Sequence, residues 1–160
     1  MEGNFGVEVR GEVTTKAVSI NSNVINSLKE RYIAFDTETT GLNPINDRII
    51  ELGAVLFENG KPVKRFETLI NVGMSIPARV TAVNNITNDM LENAPTEEKV
   101  YAEFIDFLKD VLNQRTIICA HNAKFDMGFL SETLMRLGYD AKINYIDTLS
   151  FSRKKIMGLY

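Results

Sequence analysis

The sequence predicts an α/β protein: a mixed sheet of three antiparallel strands followed by parallel additions, with flanking helices. Two patterns predict it. Three strand-like segments come first, the second and third joined by Asn59-Gly60, and beyond Pro95 amphipathic helices alternate with short apolar strands. The 160-residue chain holds 44% hydrophobic and 24% charged residues, with 10 Gly and 4 Pro. That composition supports one packed core and argues against disorder, collagen-like or repeat architectures.

Residues 1–30 carry the weakest pattern. A loose alternation (Val7, Val9, Val13, Val18, Ile20) gives way to Asn- and Ser-rich sequence before Val24 to Leu28, consistent with a short hairpin or a tether outside the domain proper, which we place at residues 31–160. From Arg31 the pattern sharpens. Tyr32, Ile33, Ala34 and Phe35 form an apolar run ending at Asp36, as in a buried strand whose end carries polar groups. Thr39 to Pro44 reads as a loop. Ile49 to Phe57 and Val63 to Ile70 read as the arms of a hairpin.

Short helices are expected over Pro77 to Val83 and Thr87 to Leu91. Thr96 is placed to cap a longer one, whose face is Val100, Phe104, Phe107, Leu108, Val111 and Leu112. A buried strand over Thr116 to Ala120 precedes His121. Phe125, Phe129, Leu130, Leu134 and Leu137 then line one helix face, which Gly138 terminates. Tyr145 to Ile146 give a last short strand, followed by a basic terminal helix.

Charge and cysteine content narrow the function. Lys and Arg number 18 against 21 Asp and Glu, a formal charge of −3, so nucleic-acid binding would need a local patch or bound cations, and an architectural DNA binder is disfavoured. The single Cys119 permits neither an intramolecular disulfide nor a multi-cysteine zinc site. No run approaches the ~20 apolar residues of a membrane span, so a cytoplasmic protein with no membrane partner is expected.

Two constellations carry chemistry. In Asp36-Thr37-Glu38 the carboxylates lie two residues apart on a strand and face the same side, an oxygen-rich pair suited to a hard divalent cation. In His121-Asn122-Ala123-Lys124-Phe125-Asp126 a strand passes into a helix, which puts Asp126 in the first helical turn, within reach of the same metals.

Taken together, Tyr32 to Leu42 (YIAFDTETTGL) and His121 to Asp126 (HNAKFD) resemble motifs I and II of the DEDD-family 3′–5′ exonucleases, the proofreading group of bacterial DNA polymerase III. Ile76 to Pro95 (IPARVTAVNNITNDMLENAP) resembles the family's linking segment. The resemblance implies a ribonuclease H-like fold and hydrolysis at DNA 3′ ends. It implies Mg²⁺ or Mn²⁺ as cofactor, two ions held by Asp36, Glu38 and Asp126, which would be the catalytic residues. Thr39 and Leu42 match positions that contact the terminal nucleotide, and Phe125 matches an aromatic residue beside the strand. Asp147 also matches but reads as structural. The implied partners are a single-stranded DNA 3′ end and a DNA polymerase subunit. An RNA-trimming relative would share these motifs.

Departures from the family pattern concern activity more than fold. Residues 148–160 contain no Asp, Glu or His, whereas active members carry a general base and a fourth aspartate downstream of motif II. A C-terminally incomplete fold with reduced turnover is therefore expected, with apolar sheet surface left for self-association or a partner. The competing expectation is a catalytically incomplete module that binds nucleic acid or a polymerase. At Asn84-Asn85 relatives often carry His or Thr followed by Gly, and Asn tolerates the positive φ such a turn requires. Lys124 and Arg153-Lys154-Lys155 are available to phosphates, or are simply solvated helix faces.

Overall fold

A computed structural model describes residues 9–113 and 115–149. Its centre is a six-stranded sheet in the order β1-β6-β5-β2-β3-β4. The antiparallel half is β2 (Arg31–Thr39), β3 (Ile49–Glu58) and β4 (Lys61–Leu69). Parallel pairings then add β5 (Ile117–Ala120) to β2, β6 (Ala141–Asp147) to β5, and β1 (Val13–Ala17) to β6. This is the mixed sheet that the sequence predicts. The β3–β4 turn has φ of 53° at Asn59 and 79° at Gly60, the left-handed pair that matches strand twist in a two-residue hairpin.

Period-2 alternation in β2 sorts the site from the core. Ile33, Phe35 and Thr37 are buried on the face covered by helices, while Tyr32, Ala34, Asp36 and Glu38 point to the opposite face. Beneath the helices, Phe104 is fully buried. Its ring lies 5.8 Å from Phe35, 5.3 Å from Phe66 and 6.1 Å from Phe107, with Tyr101 edge-on at 6.3 Å. Offset and edge contacts of this kind add to the area that the aromatics bury.

The helical elements follow the expected order with two differences. The helix capped by Thr96, whose hydroxyl accepts from Lys99 N–H at 3.4 Å, breaks at Leu108 into α4 (Glu97–Phe107) and α5 (Lys109–Leu112). The break turns Asp110 inward to pair with Arg31 and Arg115, a long-range charge contact invisible to helical periodicity. Residues 13–30 form β1 and α1 (Ser22–Glu30) rather than a hairpin. α2 (Ala78–Asn84), α3 (Asn88–Glu92) and α6 (Ala123–Arg136) lie where expected. Asn85 ends α2 at φ 63°, so the turn survives without glycine. The expected basic helix lies outside the described residues. No described helix is long and apolar enough to cross a membrane.

Candidate active site

Strand register assembles an acidic face. Asp36 pairs with Gly53, and Gly53 with Glu67; Glu38 pairs directly with Glu51. Like charges directly opposite one another on one sheet face destabilise it unless a cation intervenes. Asp36, Glu38, Glu51 and Glu67 all line one cleft of about 660 Å³, together with Tyr32, Ala34, Cys119 and His121, and among the described residues neither Lys nor Arg lines it. Burial, reinforced by Asp36 and Glu51, raises the Glu38 pKa from its ordinary value.

Asp126 approaches from the other side of β2. It sits in the first turn of α6 at 4% exposure, and its Oδ1 accepts from Thr37 Oγ1 at 2.5 Å. Burial pushes its pKa up to about 6; the Thr37 hydrogen bond opposes that shift, and the charges of Asp36, Glu38 and Asp147 add to it. Thr37, between the two carboxylates of the first motif, thus links the two motifs through the sheet. The corner before α6 is held by Asp147. Its Oδ1 accepts from the backbone N–H of Asn122 at 3.0 Å and of Leu149 at 2.9 Å, fixing Asn122 at φ 61°.

A second cleft of about 380 Å³ adjoins the first, and Thr37 and Glu38 line both. Thr39, Leu42 and Phe125 meet here, beside Arg79 and Val83 of α2. A register shift between Glu38 and Thr39 marks an irregularity at the strand's end, a device that re-aims side chains next to sites. Thr39 Oγ1 donates to Gly41 O at 2.7 Å. Asp47 clamps the loop that follows, accepting from Asn43 N–H at 3.0 Å and Thr40 Oγ1 at 3.3 Å. A Cβ on Gly41 would lie 2.3 Å from Asp47 Oδ2, so a side chain there would displace the clamp. The loop holds Leu42 outward at 84% exposure, while Phe125 is half-buried with its ring 4.9 Å from Phe129.

The structure therefore brings Thr39, Leu42 and Phe125 together beside Glu38, and puts Asp36 and Glu38 in the adjoining cleft. Asp126 lines neither cleft and reaches them only through Thr37 and electrostatics. Among the described residues, no three His, Cys, Asp or Glu side chains converge closely enough to hold a metal ion. The donor chemistry, carboxylate oxygens without an opposing cation, nonetheless suits a hard divalent ion. Glu51, Glu67 and Arg79 were missed in the sequence. Counting register outward from the Asn59-Gly60 turn would have found the first two.

Asp126 gives a stability prediction. Its folded pKa of about 6 exceeds the ordinary value of 3.8, so the folded state holds the proton more tightly and stability falls as pH rises from about 4 to 6. In EDTA, Asp126→Asn is expected to melt higher than the parent above pH 6 and to flatten this dependence. Calorimetry across that range checks it, and parallel pH profiles for the two proteins would refute it.

Comparison with known proteins places these features. Residues 33–160 match the family model RNase_T, described as exonuclease. The chain is 39% identical over 127 residues to the PolC-type DNA polymerase III of Caldanaerobacter subterraneus subsp. tengcongensis, covering 79% of the chain and 9% of that protein. The PolC-type enzyme of Staphylococcus aureus is 42% identical over 123 residues, covering 76% of the chain and 8% of that protein. The chain thus spans about a tenth of the length of these relatives. A metal-free complex of E. coli ExoI with single-stranded DNA superposes with a TM-score of 0.70 at 16% identity, over 79% of this chain and 30% of that one.

Proposed function

The chain belongs to the RNase_T exonuclease family, and from that premise we propose that it is a metal-dependent 3′–5′ exonuclease domain of the proofreading type, acting on DNA 3′ ends within a cytoplasmic DNA polymerase III. The observation that carries this reading is the adjacency of the two clefts. One is lined by carboxylates with no Lys or Arg among the described residues, and the other by Leu42 and Phe125, with Glu38 shared between them. In this reading residues 31–160 are the exonuclease domain and residues 1–30 an extension.

Exonucleases of this family generally use divalent metals. Asp36, Glu38 and Asp126 would hold Mg²⁺ or Mn²⁺, which supplies activation of water and stabilisation of the leaving oxygen. The chain's own residues do the rest. Thr39 and Leu42 seat the terminal nucleotide, Phe125 flanks the strand, and Thr37 holds Asp126 against β2. The apolar floor of the first cleft, including Tyr32, Ala34 and Val55, is surface for a polymerase chain or a second copy of this one.

The test uses single-stranded DNA labelled at its 5′ end, incubated with Mn²⁺ or with EDTA. A ladder shortening from the 3′ end in Mn²⁺ alone is the expected result. A second reading is favoured by Asp126, which lines neither cleft: a catalytically incomplete module that binds nucleic acid or a polymerase. It predicts binding of the strand with no shortening.

A further inference from the structure

Of all the side chains lining the two clefts, Arg79 is the one Lys or Arg among the described residues. It is exposed on α2, and no described residue pairs with it or accepts a hydrogen bond from it. Its surroundings are specific. Leu42 and Val83, from different elements, line the same cleft at 84% and 83% exposure, with Glu38 also on its wall. Large apolar side chains left in water on two elements that line one cleft suit a flat apolar occupant, and a lone guanidinium beside them suits an anion. A cleft of about 380 Å³ is of the size that takes one small ligand unit.

The geometry points to Arg79 as a phosphate anchor for the bound strand: with a base between Leu42 and Val83, Arg79 holds a phosphodiester of the 3′-terminal stretch. This rests on the exonuclease reading and adds to it. Without metal the acidic cleft repels a polyanion, and Arg79 is the one cation among the described cleft-lining side chains that can offset that repulsion. Arginine's planar fork can grip two phosphate oxygens at once, which an ammonium cannot do with the same geometry. Anchoring at Arg79 would also fix the direction in which the strand enters, because base, phosphate and acidic cleft then occupy three distinct places.

The test measures binding of a short 5′-fluorescein oligothymidylate by anisotropy, in EDTA and across a salt series, for the parent, Arg79→Ala and Arg79→Lys. Arg79→Ala is expected to bind about tenfold more weakly, with the salt slope reduced by about 0.7, the contribution of one phosphate contact on a single strand. Arg79→Lys should fall between, and melting temperature and Mn²⁺ affinity should not move. An Arg79→Ala affinity within twofold of the parent, with an unchanged slope, would overturn the assignment. A parent that binds the strand through Arg79 but never shortens it would sustain the anchor and remove the catalytic reading. A parent that does not bind the strand would remove both.

Discussion

Alanine at Asp36 is expected to lower Mn²⁺-dependent nucleotide release by about 10²–10⁴-fold, the range seen when a group acting directly on the reacting atoms is lost. Asp36 is the better probe of the acidic cleft because its side chain is exposed and faces away from the core. Asp126 is buried and bonded to Thr37, so its removal would mix structural and chemical effects. Removing the Asp36 charge relieves Glu38 and Asp126, both of which it pushes toward protonation, so the variant should melt no lower than the parent. Loss of release with an intact fold assigns the chemistry to this cleft. Unchanged release from a purified Asp36→Ala sample would place the activity elsewhere.

Phe104→Ala should give the largest stability change. The side chain is fully buried among four aromatic rings, and truncations of this kind cost about 3–5 kcal/mol through lost transfer energy and a cavity that the surroundings refill only partly. At about 2–4 °C per kcal/mol for a protein of this size, the melting temperature should fall by about 6–20 °C. Phe35, one of the four rings, precedes Asp36 in β2, so the same cavity slackens the strand that carries the carboxylates. Thermal denaturation followed by circular dichroism checks the shift, with Phe104→Leu expected to lose much less. A change below about 1 kcal/mol would mean that the neighbouring rings close the gap, contrary to the partial relaxation usual in close-packed cores.

Much of the fold is legible locally because its signals are local. The hairpin is written in Asn59-Gly60, and α6 in the spacing of Phe129, Leu130 and Leu134, all of which the structure buries or turns as expected. β1 is not legible: it is an edge strand with four of its five residues exposed, so no alternation of buried and solvated positions marks it. β6 extends over seven residues where the apolar pattern marks only Tyr145 and Ile146, because Lys142 and Asn144 dilute the apolar run. The break at Leu108 goes with the pairing of Asp110 with Arg31, far away in sequence.

The candidate site divides in the same way. Motif residues identify Asp36, Glu38, Asp126, Thr39, Leu42 and Phe125, but not how they are joined. That Thr37 bonds Asp126 follows from packing α6 across β2, and that Glu51 faces Glu38 follows from register. Arg79 sits in the linking segment, whose pattern carries no role for it, and only the approach of α2 to the Leu42 loop gives it a context.

The pairing of β1 with β6 also sets a timetable. Glu12 N–H donates to Asp140 Oδ1 at 2.8 Å across 128 positions of sequence, and a Cβ on Gly11 would lie 1.8 Å from Tyr139 O, so this junction is made closely. During synthesis β1 emerges early and has nothing to pair with until residues 141–147 follow. Contacts of such separation form slowly, although the entropy of closing a longer loop grows only logarithmically. The same late strand carries Asp147, which fixes the corner ahead of Asp126. The carboxylates therefore reach their final arrangement only once residues 141–147 have been made, and a nascent chain carries both motifs before it carries a formed site.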